Sequence, residues 1–158
     1  MSTLRFNTWQ NTAGTEGATL DNSGHLSATL KSPYEYWTIS ATAATGTVDV
    51  DISTSSVWYY TSDASANWTF NFRGDSSTTL NSLLAIGESV TTAFFVTNGT
   101  TAYYPTAFTV DSASVTPKWS GGSAPSAGNA SSIDAYLFTI AKTADATFTV
   151  LGQQVQFA

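Results

Sequence analysis

Strict two-residue alternation of large apolar side chains limits this chain's folds more than any other feature. Val48, Val50 and Ile52 alternate with Asp49, Asp51 and Ser53, and Trp68, Phe70 and Phe72 alternate with Thr69, Asn71 and Arg73. Val90, Thr92, Phe94 and Val96 share one face of a further run, and Phe108 and Val110 begin another. Successive side chains of a strand point to opposite faces, so each run gives one apolar face and one wetter face. Strands of this kind bury their apolar faces by packing two sheets together or by closing a barrel. Val57-Trp58-Tyr59-Tyr60 and the run 135–140 (AYLFTI) carry large residues on both faces. They are expected as central strands or as strands covered by a neighbouring subunit. Phe148 and Val150, then Val155 and Phe157, read as a closing hairpin that turns at Gly152-Gln153.

Turn signals separate the runs at spacings of about 8 to 15 residues, as in sandwiches and barrels. They include Thr45-Gly46, Arg73-Gly74-Asp75, Ile86-Gly87, Asn98-Gly99 and Ser120-Gly121-Gly122. Asn98-Gly99, between Phe94/Val96 and Tyr103, is a good hairpin signal, because both residues tolerate positive φ. Leu80, Leu83 and Leu84 predict one short helical turn within 79–85, and the small, polar stretch 120–132 reads as an exposed loop. The fold expected is all-β: an antiparallel β-sandwich or barrel-like domain of jelly-roll character over 33–158, preceded by an extended N-terminal arm over 1–32.

Composition narrows the function. Only 10% of residues are charged against 42% hydrophobic and 13% aromatic. Uncharged, Thr-rich, aromatic-rich chains suit a pleated surface. The net charge is −6, and the five basic residues Arg5, Lys31, Arg73, Lys118 and Lys142 are scattered. No basic face for phosphates arises, so neither nucleic acid nor an anionic membrane surface is expected as a partner. No apolar run reaches the ~18 residues of a spanning helix, and the N-terminus lacks a signal-peptide core. Cysteine is absent, so disulfides, a thiol nucleophile and thiolate metal sites are excluded.

Candidate chemistry is sparse, and no catalytic residue, metal site or cofactor is expected. His25, the only histidine, sits in a turn signal with no G-x-S-x-G elsewhere to partner it. Asp49 and Asp51 share a strand face and read mainly as solvent-facing charges that protect an edge. A hydrolase built on paired carboxylates would need both to face a groove. Arg73-Gly74-Asp75 matches an adhesion tripeptide but reads as a turn. Asn67-Trp68-Thr69, Asn98-Gly99-Thr100 and Asn129-Ala130-Ser131 match the glycosylation pattern at a frequency chance explains. Tyr103, Tyr104 and Trp119 border loops and are the candidates for stacking on a sugar or for an interface.

The arm reads as a docking element. Leu4, Phe6 and Trp9 are isolated anchors among Asn, Thr, Gly and Gln, too sparse to form a core. Three segments carry a resemblance: Met1-Ser2-Thr3-Leu4, Gln10-Asn11-Thr12-Ala13-Gly14-Thr15 and Leu20-Asp21-Asn22-Ser23-Gly24-His25-Leu26. Together they resemble the start of tail-fibre and other virion appendage proteins of tailed phages, especially cyanophages. The resemblance covers about a sixth of the chain. It implies a non-enzymatic virion protein, such as a short appendage, an adaptor or a head or tail decoration. Other virion proteins would be its partners, and a homotrimer its assembly. No long repetitive shaft follows the arm, which argues against a long fibre. The alternative is a carbohydrate-binding module that contacts host-surface polysaccharide.

Overall fold

The computed structural model describes residues 8–10, 16–20, 26–28 and 34–158. They fall into two compact units, Met1–Glu35 and Tyr36–Ala158. In the first, β1 (Thr8–Gln10), β2 (Glu16–Leu20) and β3 (Leu26–Ala28) form an antiparallel sheet in the order β1-β2-β3. Trp9 stands opposite Ala18, and Leu20 opposite Leu26.

The second unit is a two-sheet sandwich. Its elements are β4 (Trp37–Ala43), β5 (Gly46–Asp51), β6 (Val57–Ser62), β7 (Trp68–Arg73), α1 (Leu80–Leu83), β8 (Ser89–Asn98), β9 (Pro105–Val110), β10 (Ala113–Ser114), β11 (Lys118–Trp119), β12 (Ser132–Ala144) and β13 (Thr147–Phe157). One sheet has the order β10-β9-β7-β5, the other β11-β13-β12-β8-β6-β4. The all-β sandwich expected from the alternation is therefore present, as two sheets and not a barrel.

Pairing within the sheets departs from the antiparallel expectation. From β4 to β9 each strand lies in the sheet opposite to its predecessor. Each strand runs back across the sandwich, so every second strand points the same way and pairs in parallel. β4 with β6, β6 with β8, β5 with β7 and β7 with β9 are all parallel. A parallel pair needs a long crossover, and here a strand of the other sheet takes the place of the usual helix. Antiparallel pairing holds for β8 with β12, β12 with β13 and β9 with β10. β6 and β12, the runs with large residues on both faces, are interior strands.

Two turn expectations are also corrected. Gly152-Gln153 lies inside the continuous strand β13, and the hairpin turns instead at Asp145-Ala146, with Ala146 at φ 47°. Gly152 is needed because a Cβ there would come within 2.9 Å of the Trp119 indole, which lies over it. Asn98-Gly99 does not close a hairpin: β8 and the following β9 belong to different sheets. The type I′-like hairpin is β9–β10, where Asp111 and Ser112 both take positive φ, 50° and 67°.

Aromatic rings fill the space between the sheets. Phe70 of β7 contacts Phe94 of β8 at 4.8 Å and Tyr136 and Phe138 of β12 at 5.9 and 5.4 Å, between ring centroids. It also meets Trp68, Phe72 and Phe108 within its own sheet. Edge-to-face pairs of this kind add about 0.5–1.5 kcal/mol each beyond their buried area. At one margin Trp119 closes the gap, with its ring against Phe108 at 5.4 Å and Phe138 at 5.8 Å.

The two outward faces differ sharply. On the four-stranded sheet, β5 and β7 turn Asp49, Asp51, Asn71 and Arg73 outward, opposite the core residues Val48, Val50, Phe70 and Phe72. The six-stranded sheet instead turns outward Trp37 and Ile39 from β4, Tyr59 from β6, and Ala93 and Phe95 from β8, with Val57 buried among them. Leu137 from β12 and Leu151 from β13 continue that face.

Candidate functional site

The paired carboxylates Asp49 and Asp51 are tied down. Their strand runs beside β7 in a register that sets Asp49 opposite Asn71 and Asp51 opposite Arg73. Arg73 Nε donates to Asp51 Oδ1 at 2.6 Å, and its Nη1 lies 3.0 Å from Asp49 Oδ2. Asn71 Nδ2 donates to the other Asp49 oxygen at 2.7 Å. The hydrogen bond to Asp51 raises the guanidinium pKa further, so Arg73 keeps its charge. Asn71 Oδ1 accepts from the Thr109 hydroxyl at 2.8 Å and from Ser112 N at 2.9 Å. This ladder stitches three strands and the β9–β10 turn together, and each carboxylate is committed to a cation or amide. That geometry ties β5 to β7 through side chains as well as main chain.

Arg73-Gly74-Asp75 is a turn, as read from the sequence. Asp75 Oδ1 accepts from Ser77 N and Thr78 N, both at 2.8 Å, an Asx-type turn. The Ser77 amide is the main cause that lowers the Asp75 pKa. A Cβ on Gly74 would come within 2.6 Å of the Thr78 carbonyl oxygen, so only glycine fits.

The most unusual polar site escaped sequence reading. Asp134, on β12, is fully buried. Its Oδ2 accepts from Asn129 N at 2.9 Å and from Asn98 Nδ2 at 3.1 Å. Gln154 Nε2 and the Tyr136 hydroxyl each stand 3.5 Å from the same oxygen. Asp134 Oδ1 is buried with no hydrogen-bond partner. Desolvation raises the Asp134 pKa, and the hydrogen bond from Asn129 leads those that oppose it. Burial, and then the Asp134 charge, push the Tyr136 hydroxyl far above its ordinary range. A Cβ on Gly128 would come within 2.4 Å of the Tyr103 carbonyl oxygen and 2.9 Å of Asp134 Oδ2, so the loop backbone presses onto the cluster. Asn98, read from the sequence as a turn residue, is buried here and also accepts from Tyr103 N at 3.1 Å. The alternating pattern offered no signal for Asp134, because a carboxylate at an inward position looks like a solvent-face residue.

The aromatic candidates are half-buried. Tyr103, Tyr104 and Trp119 all pack against the core. Tyr104 N donates to Asn67 Oδ1 at 3.1 Å, which fixes the segment leading into β9. Trp119 borders an open groove of about 440 Å³ shared with Ser123, Ser126, Gln153, Gln154 and Gln156. Leu4, Phe6 and His25 lie outside the described residues, as does the side chain of Trp9. Among the described residues no cluster of His, Asp or Glu is arranged to hold a metal ion, and no helix is long and apolar enough to cross a membrane. Comparison of the chain with protein-family models, with curated proteins and with solved structures gives no match.

Proposed function

We propose that this chain is a non-enzymatic structural protein of a tailed-phage particle, a short appendage, adaptor or decoration. In this reading the N-terminal segment docks and the β-sandwich is carried outward. The observation that supports it most is the division of the chain at Glu35/Tyr36. A small strand unit, carrying the sequence that resembles virion attachment segments, precedes a sandwich whose interior is filled with aromatic rings. The carboxylates Asp49 and Asp51 are held by Arg73 and Asn71, and this also favours a structural role. Leu4, Phe6 and Trp9 are the proposed anchors, and the polar residues between them would pair main chain to main chain with the partner. Ordering such a segment costs about 1–2 kcal/mol per residue, which repeated copies offset through avidity.

The test is particle incorporation. Mass spectrometry of gradient-purified particles should detect the full chain in many copies and lose it when residues 1–32 are deleted. Full incorporation of the truncated chain, with a circular dichroism spectrum matching the parent, would overturn docking by the arm. Absence of the full chain from particles would overturn the virion role itself.

A second reading, carbohydrate binding, is favoured by one feature. The groove beside Trp119 is lined by amides and hydroxyls, groups that hydrogen-bond sugars. Binding of purified surface polysaccharide that Gln153→Ala and Gln156→Ala together abolish would support it.

A further inference from the structure

We propose that the outer face of the six-stranded sheet is a self-association surface, buried against the same face of a second copy of this chain. The proposal rests on the sandwich alone and can fail while the particle role stands.

Three observations carry it. First, the face carries large exposed apolar side chains among its threonines, where a solvent-facing sheet should be polar. Ile39 is 58% exposed, Leu151 48%, Trp37 41% and Leu137 37%. They lie on β4, β13 and β12, so the exposure spans the sheet and is not one isolated residue. Trp37 stacks on Phe95 with centroids 4.9 Å apart and planes within 12°, which gives a flat, rigid platform.

Second, four of its hydroxyls are already paired with one another. Thr97 Oγ1 lies 3.3 Å from the Tyr59 hydroxyl, and Thr91 Oγ1 3.3 Å from Thr139 Oγ1. Covering the face therefore leaves those groups a partner, and their desolvation costs little.

Third, charge selects the occupant. The chain carries −6, so two copies repel wherever acidic residues meet. By the strand registers, the outward positions of β4, β6, β8, β12 and β13 hold no Asp, Glu, Lys or Arg. Lys118, on β11 opposite Leu151, stands at the rim. The other sheet turns Asp49, Asp51 and Arg73 outward and offers no such neutral meeting surface. An uncharged face on an acidic chain suits an identical acidic copy, since no like charges are buried. Five strands at about 4.8 Å spacing and about 25 Å length give roughly 600 Å² of flat footprint. With side-chain relief this approaches the roughly 800 Å² per partner of standard stable interfaces. A face meeting its own copy closes as a twofold pair.

The test is sedimentation velocity and native mass spectrometry on the full chain at low and high salt. A dimer, twice 16.7 kDa, is expected, and high salt should leave it intact because no charged pair holds the contact; a trimer with no dimer would overturn the proposal. Ile39→Glu with Leu151→Glu should weaken association by about tenfold or more, since each copy would bring like charge to the contact. Both positions are exposed, so near-ultraviolet circular dichroism should be unchanged. Thr47→Glu with Ala107→Glu, on the opposite sheet, should leave the assembly intact. A monomer at all concentrations would overturn the proposal, whether the face is bare or covered by the chain's own first residues. So would a Glu variant that keeps its fold and associates as tightly as the parent.

Discussion

Asp134 makes the stability of the fold depend on pH. Its carboxylate is buried with one oxygen unpaired, so burial favours the protonated form and raises its pKa in the folded state. A raised folded pKa means that the folded chain holds the proton more tightly than the unfolded chain. The contribution to stability is then greatest below the unfolded value of about 3.9. It declines as pH rises from that value through the folded pKa. Asp75 acts in the opposite sense: its lowered pKa stabilises above the unfolded value and is lost as pH falls. In Asp134→Asn the buried charge is gone while an oxygen remains to accept from Asn129 N and Asn98 Nδ2. The stability of this variant relative to the parent should therefore rise between pH 4 and pH 7, read as urea midpoints across that range. A difference that does not vary with pH would mean that the carboxylate is not desolvated in the fold. Gly152 marks the same limit of sequence reading at residue scale. Its apparent role as a turn came from composition, whereas its actual role is to leave room for Trp119, which joins the sheet from a separate strand.

The helix α1 shows how a marginal element is held from outside. Four residues cannot stabilise a helix alone, because nucleation is unfavourable. Thr79 caps its start, with Oγ1 accepting from Ser82 N at 3.1 Å. The Asp111 carboxylate, aimed by the left-handed turn between β9 and β10, accepts from Leu80 N at 2.7 Å and Asn81 N at 2.9 Å. At the other end the buried Lys142 ammonium donates to the carbonyls of Asn81 at 2.6 Å and Leu84 at 3.0 Å. An anion at the N-terminus and a cation at the C-terminus both match the helix dipole. Asp111→Ala should cost about 1–2 kcal/mol, as loss of a capping acceptor does. Lys142→Met should cost about 1–3 kcal/mol, because two carbonyls lose charged donors. Equilibrium urea unfolding measures both, and a cost under about 0.5 kcal/mol for each would mean that α1 is held by Leu80 and Leu84 packing alone. The helix was legible from its leucine spacing, but its clamps were not, since Asp111 and Lys142 are remote in sequence. Strands were legible for a related reason: alternation is local. Their parallel pairing was not, because alternation records which face a residue takes and not which strand lies beside it.

At the scale of the whole sandwich, the zigzag from β4 to β9 leaves each sheet dependent on the other. Parallel neighbours such as β5 and β7 are joined only through a strand of the opposite sheet, so neither sheet can assemble by local hairpins alone. Phe70 is where that dependence concentrates. It is fully buried, sits on the middle of the four-stranded sheet and touches Phe94, Tyr136 and Phe138 across the interior. Phe70→Ala removes that bridge and leaves a cavity that six neighbouring rings cannot all move to fill. The cost should be about 3–5 kcal/mol, against a total stability of about 5–15 kcal/mol for a domain of this kind. Phe70→Leu keeps much of the volume and should cost less than about half as much. Because the sheets depend on each other, the loss should appear as one cooperative transition shifted to lower urea, seen alike by far-ultraviolet circular dichroism and by tryptophan fluorescence. Trp68 meets Phe70 edge-on at 5.8 Å and so reports directly on the contact. If Phe70→Ala instead separated the two signals into distinct transitions, the six-stranded sheet would be stable without its partner, and the interlocked pairing would not govern folding.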